Sequence, residues 1–173
     1  MHRLGTIVIA TAVATLAVAG TVLAQSASPS SGSFVTQSAR RGLAFAELSE
    51  VALQRSQHPE VRRLAQRVRD THLRGYDDLL ALAGQAGLET PDSIDLEQRG
   101  IKSRLTALSG AAFDREYLAA LRLNQQRDIA LFRSYAKSGE DPGLKDWATQ
   151  QLTTLRREQQ QTDAVTRELG AGR

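Results

Sequence analysis

The 173-residue chain contains no cysteine. That absence removes disulfides, thiolate nucleophiles and cysteine-ligated zinc or iron–sulfur centres together, and with them a lipoprotein anchor on an N-terminal cysteine. Proline is scarce: four residues, at 29, 59, 91 and 142, each in a polar stretch between apolar-periodic runs, where it kinks no helix. No β-type alternating run and no internal repeat is present. A phosphate-cradling glycine loop and a Gly-x-Ser-x-Gly nucleophile turn are also missing, which leaves no sequence basis for an enzyme. Neither sign of charge dominates, with 22 Lys and Arg against 19 Asp and Glu. The arginines of "VRRLAQRVRD" and the residues after it, Arg63, Arg67 and Arg74, fall opposite the Leu64/Val68 seam. That makes them a solvated outer face, since a nucleic-acid surface needs a basic stripe with aromatic stacking partners. The sparse aromatics Phe113, Tyr117, Phe132, Tyr135 and Trp147 lie at helical spacing and are expected in the core.

What is present begins with a leader. Arg3 precedes residues 4–24, which carry no charge and end in Val22-Leu23-Ala24, the layout of a secretory signal peptide. The expected division is a signal peptide over 1–24, a flexible polar linker over 25–33, a helical domain over 34–169 and a disordered tail over 170–173. An uncharged run of this length could also span a bilayer uncleaved. Thr6, Thr11, Thr15 and Gly20 dilute it, so a periplasmic protein cleaved near Ala24 is expected, with a membrane-anchored form as the alternative. Arg3 is the only charged side chain in the leader, so the mature chain keeps 21 basic and 19 acidic residues, a net +2.

The rest of the chain reads as helix. A first helix is expected from Val35 to Ser56, and "QHPE" turns it into a second that starts at Pro59 and runs to Ala86, where Gly87 can take the left-handed cap. Asp92 is placed to cap a short third helix reaching Leu108. "SGAAFD" opens a fourth with Leu118, Leu121, Ile129, Phe132 and Ala136 on one face, ending at Gly139. Asp141-Pro142 opens the last, which carries Leu144, Ala148, Leu152, Leu155, Val165 and Leu169. The prediction is an all-α, antiparallel four-helix bundle with one extra short helix between the second and third long helices.

Each long helix is polar near its midpoint: Glu47, His72, Gln125 and Glu158. His72 shares its face with Val61, Leu64, Ala65, Val68, Leu79 and Leu82, where another aliphatic residue would be expected. Antiparallel helices of similar length bring their midpoints to one level, so a polar core layer of His72, Gln125 and Glu158 is expected, with the Tyr76 hydroxyl one turn further on. A di-iron centre needs a Glu-x-x-His pair on each of two helices. The chain has three histidines, of which His2 is in the leader and His58 in a turn, and Arg69 stands three residues before His72. The most that His72, Glu47 and Glu158 can form is a mononuclear site holding one divalent metal ion weakly. The alternative is that the layer hydrogen-bonds within itself or to trapped water, with no cofactor.

The runs "DTHLRGYDDLLALAGQAGLETP", "LTALSGAAFDREYLAAL" and "ALFRSYAKSGEDPGLKDWA" resemble the exported bacterial family named domain of unknown function 4142, whose members are often labelled outer membrane proteins. The likeness spans Phe34 to Ala164, and Leu108-Ser109-Gly110 with Phe113-Asp114 and Tyr117 is its most specific piece. It implies a ferritin-like helical fold. The chain departs from the family pattern inside the bundle. Phe45 stands where a Glu is usual, while Glu47 matches a second acidic position. Thr71-His72 replaces Asp-His, and Leu152-Thr153 replaces Leu-Pro. Gln125 and Glu158 take the places of histidines. If relatives bind metal in the core, this chain is expected to have lost or weakened that ability.

Three functions follow as expectations. The first is an exported, non-enzymatic envelope protein that binds a small ligand or an envelope protein through a degenerate polar core site. The second is a periplasmic metal-binding or metal-buffering protein, and the third a helical adaptor that docks on envelope partners. None involves nucleic acid, and membrane contact is expected only through the leader before cleavage. Intact-mass measurement of the exported protein should place its N-terminus at or within a few residues of Gln25. A full-length species that pellets with membranes would overturn that expectation.

Overall fold

The structure, a computed structural model, describes residues 29–171, so the expected signal peptide, residues 25–28 of the expected linker and residues 172–173 of the expected tail lie outside the described residues. Five helices follow one another: α1 (Ser31–Arg55), α2 (Pro59–Gln85), α3 (Leu96–Thr106), α4 (Gly110–Ser138) and α5 (Pro142–Ala171). Local chemistry sets their ends. The Ser30 side chain accepts from Ser33 N–H and starts α1 four residues before Val35, so the helical domain begins inside the expected linker. Gly87 takes φ +67° after α2, and the amides of Gly87 and Leu88 close back on the carbonyls of Gly84 and Ala83, a Schellman end. Asp141 accepts from Leu144 N–H and caps α5. The cap of α3 is Asp95, which accepts from Gln98 N–H. The expected cap, Asp92, stands outside the helix because the buried side chain of Ile94 keeps the chain non-helical for three more residues.

α1 packs on α2 and α4, and α5 packs on α4 and α2, which closes the four long helices into a ring. Paired hydrogen bonds fix the directions. Ser31 at the start of α1 meets Tyr135 near the end of α4 at 2.6 Å, whereas Ser56 after α1 donates to Asp114 near the start of α4 at 2.5 Å. α1 and α4 are therefore antiparallel. A tight turn makes α2 antiparallel to α1 as well, so α2 and α4 point the same way. The connection over 86–109 must then travel the length of the bundle, and α3 lies within it, packed on α1 and α4. A single long crossover of this kind is the ferritin-like variant of the four-helix bundle. A buried amide pair, Gln98 with Asn124, ties the strap to α4.

The apolar core comes in two parts. One gathers Phe45, Leu48, Leu64, Val68, Phe113, Tyr117 and Leu121 with Val165. The other gathers Phe34, Leu79, Phe132, Tyr135, Leu144, Trp147 and Leu155. The expected core aromatics are all among the buried residues. In the second part, Tyr135 stacks on Phe34 with ring centroids 3.9 Å apart and bonds Ser31 through its hydroxyl.

Gly139 is where that stack limits the sequence. A Cβ there would sit 2.6 Å from the Tyr135 ring, which is buried and pinned at both its face and its hydroxyl. Gly139→Ala should destabilise the protein by about 1–3 kcal/mol through overpacking. Gly84→Ala meets nothing within 4 Å and should be neutral or stabilising by up to about 1 kcal/mol. Denaturant titration of both variants checks the contrast.

Candidate functional site

Between the two cores the interior is charged. On α1 the inward positions Phe34, Ser38, Arg41 and Phe45 recur at helical spacing, and the series changes from apolar to polar and back. His72 on α2, Asp128 on α4 and Glu158 on α5 complete the level. His72 Nε2 lies 3.0 Å from Glu158 Oε2, with the two side chains only 10% and 7% exposed. The Phe45 ring stacks on the imidazole at 4.1 Å between centroids. Arg41 Nη1 donates to Asp128 Oδ1 at 3.1 Å. Further along α5, Gln125 Nε2 donates to Thr162 Oγ1 at 3.0 Å, and Thr162 Oγ1 in turn donates to the Glu158 carbonyl at 3.0 Å.

The structure brings together part of the expected set. His72 and Glu158 touch. Gln125 belongs to the same polar zone but bonds Thr162, one turn along α5 from Glu158. Glu47 does not join them. It lies two residues beyond the inward Phe45, about 200° further round the helix, and pairs with Lys102 Nζ of α3 at 2.7 Å in a half-exposed surface bridge. The Tyr76 hydroxyl turns away and donates to the Pro91 carbonyl at 2.9 Å, although its ring still borders the site. Among the described residues no group of three or more His, Cys, Asp or Glu is gathered in a way that could hold a metal ion.

Sequence reasoning missed Arg41 and Asp128. The signal was available: Asn124, Gln125 and Asp128 interrupt the α4 seam between Leu121 and Ile129, and Ser38 with Arg41 interrupt α1. All except Arg41, which is partly buried, are buried.

Two openings reach this layer. A groove of about 720 Å³ runs between α2 and α5, lined by Arg67, Arg74, Arg157 and Gln151 among others, with Glu158 in its wall. Behind it lies a chamber of about 30 Å³ bordered by Ser38, His72, Asp128, Trp147 and Glu158. The two share Thr71, Gly75, Gln151, Thr154 and Glu158. Three polar atoms of the chamber residues are buried with no hydrogen-bond partner: Ser38 Oγ, Trp147 Nε1 and Glu158 Oε1.

Burial pushes the Asp128 carboxyl up from 3.8 to about 6, and the Glu158 charge adds to the rise, while Arg41 and His72 oppose it. The folded state therefore holds a proton on Asp128 between about pH 4 and pH 6 that the unfolded chain has released. Through that window this group favours folding as pH falls and disfavours it as pH rises, by up to about 3 kcal/mol. Asp128→Asn removes the titration, so thermal melts should show the variant gaining on wild type from pH 4 to pH 7. Wild type gaining on the variant instead would mean that the Arg41 pairing outweighs desolvation.

Known proteins place this geometry in context. The family model described as domain of unknown function (DUF4142) matches residues 17–165. No curated protein matches the chain. Among solved structures, a supposed secreted DUF305 protein from Streptomyces coelicolor is similar at TM-score 0.69 and 16% identity, over 79% of this chain and 90% of that one. A DUF305 fragment from Deinococcus radiodurans is similar at TM-score 0.70 and 21% identity, over 80% and 93%. CopM in its Cu(II)-bound form is similar at TM-score 0.70 and 16% identity, over 82% and 99%. At these identities the likeness is one of fold. The all-α bundle is thus shared with DUF305 proteins, and the match over 17–165 assigns the chain itself: it belongs to the DUF4142 family.

Proposed function

We propose that this protein is exported to the periplasm and works there by binding rather than catalysis, its site being the polar layer where the α2–α5 groove meets the chamber beside His72. One observation carries the reading: Glu158, buried in the bundle, lines both openings and keeps Oε1 without a partner. Leaving a buried acceptor unpaired costs about 1–3 kcal/mol, a cost that a bound ligand relieves. Export rests on the leader at residues 1–24. None of the described helices is long and apolar enough to cross a membrane. Binding is favoured over catalysis because His72 is covered on one face by Phe45 and bonded at Nε2 to Glu158.

The Cu(II)-bound form of CopM raises the metal reading, because the fold is shared. Here the donors do not fit a resident metal. Among the described residues, His72 and Glu158 are a pair without a third acidic or histidine ligand, and the chain has no cysteine and a single methionine, Met1, so no sulfur ligand for copper lies in the bundle.

Trp147 is the chain's only tryptophan and borders the chamber, so its emission reports occupancy. Titration of the mature protein with a panel of small polar solutes should give a saturable change for at least one, lost in Glu158→Gln. Flat emission throughout, with a Glu158→Leu variant more stable than wild type, would reduce the layer to a structural role. Thermal melts with and without micromolar zinc or copper(II) should superimpose. A metal-dependent rise that disappears in His72→Gln would install the metal reading instead.

A further inference from the structure

We propose that the α2–α5 groove and the chamber behind Glu158 bind a hydroxyl-bearing organic anion of the sugar-phosphate or sugar-acid class. The proposal rests on the binding reading above and gives that site a ligand. Its first support is the chamber. The unpartnered atoms there are an acceptor at Glu158 Oε1, a donor at Trp147 Nε1 and a hydroxyl at Ser38 that does both. Trp147 and Glu158 are eleven residues apart on α5, about 16 Å along the axis, so a ligand meets them with separate groups. One hydroxyl can donate to Glu158 and another can accept from Trp147, with Ser38 able to do either. The free volume of about 30 Å³ admits hydroxyl-sized groups and excludes a ring, since one water-sized group needs about 10–15 Å³. The bulk of the ligand therefore lies outside, where Thr71, Gln151, Thr154 and Gln161 offer the groove hydroxyls and amides.

The second support is the arginines of a groove whose lining mixes guanidinium groups with the carboxylates of Asp70, Asp77, Asp78 and Glu158. Arg67 and Arg74 on α2 and Arg157 on α5 line it, and no hydrogen bond or ion pair within the described residues holds any of the three. The acidic Asp70 on the same wall is already engaged by Gln66 and Arg69, while Asp77 and Asp78 remain as acceptors for further hydroxyls. Arg74 also feels the charge of Asp70, whereas Arg67 and Arg157 carry guanidinium groups outside any ion pair, and such groups match a phosphate or carboxylate in shape and charge. Arg157 immediately precedes Glu158, and both border the groove, so the anion and hydroxyl sites adjoin on α5. Gly75 sits where groove and chamber join, and a Cβ there meets nothing within 4 Å. The missing side chain leaves the passage open.

The test is a titration of the mature protein with glucose 6-phosphate and with glucuronate, read by Trp147 emission and by calorimetry, with glucose and inorganic phosphate as controls. At least one of the two anionic sugars should bind saturably, and glucose and phosphate alone at least about tenfold more weakly, since loss of one charge-assisted contact is worth that factor or more. Which of the two binds distinguishes a phosphate from a carboxylate. Arg74→Gln and Arg157→Gln, both on exposed positions, should each weaken binding about tenfold. Gly75→Leu should block the passage and abolish the Trp147 response with all charges intact. Binding of glucose as tight as that of its phosphate, insensitivity to both arginines, or no binding of either anion would overturn the proposal. If another solute class then moves Trp147 in a Glu158-dependent way, the binding site stands and only the ligand class falls.

Discussion

Placing charge inside a helical bundle is the constraint from which the rest of this structure follows. A buried carboxylate is tolerated only when a partner offsets its lost hydration, and here each of two carboxylates takes one: Glu158 pairs with His72, and Asp128 with Arg41. The pairs are not placed at random among the interfaces. α1 with α2, and α4 with α5, are hairpins joined by short turns and packed on apolar faces. The two pairs bridge α2 to α5 and α1 to α4, the two interfaces between hairpins. Sliding one hairpin along the other by a turn would separate both pairs and leave four charged or polar groups unmatched in the interior. The polar layer therefore acts as a register lock, a use for which buried polar groups are well attested in helical assemblies.

The same layer explains why the groove opens where it does. An apolar α2–α5 interface would close under the hydrophobic effect, as the two flanking cores do. The α2 positions facing α5 at mid-bundle are instead Thr71, Gly75 and charged residues, and α5 replies with Gln151, Thr154 and Arg157. Such side chains lose more by desolvation than they gain by contact. They keep to the rim, and Glu158 is left at the boundary between solvent and core.

Architecture was legible in the sequence because it rests on periodicity and punctuation, which are local. Pro59, Gly87, Gly139 and Asp141-Pro142 mark real ends, and the apolar seams are the buried faces. Misplaced boundaries came from competition between equally good local signals: Asp92 and Asp95 both suit a cap, and only the tertiary burial of Ile94 selects the second. The site was legible in part for a different reason. Helix midpoints predict a common level, which brought out His72, Gln125 and Glu158, but level says nothing about facing. Glu47 has the right height and the wrong azimuth, two residues past Phe45. Arg41 and Asp128 have both, yet a charged residue on a helix is ordinarily solvent-exposed, so their inward positions carried no weight until the neighbouring seam residues were seen to flank them.

Phe45 and Glu158 together decide what kind of chemistry the layer supports. The family resemblance places a Glu at position 45 and histidines at 125 and 158, a set richer in metal donors than the one present. In this chain an aromatic ring lies flat on the imidazole and a carboxylate holds its Nε2, so the donor a metal would need is engaged within the protein. Gln125, in the third place, turns to Thr162 and not toward His72. Two of the three changes put a side chain that hydrogen-bonds within the protein where a ligand would stand, and the third puts an aromatic ring there. What they leave over is an unpaired oxygen on each of Gln125 and Glu158, atoms whose unmet demand is for hydrogen-bond donors.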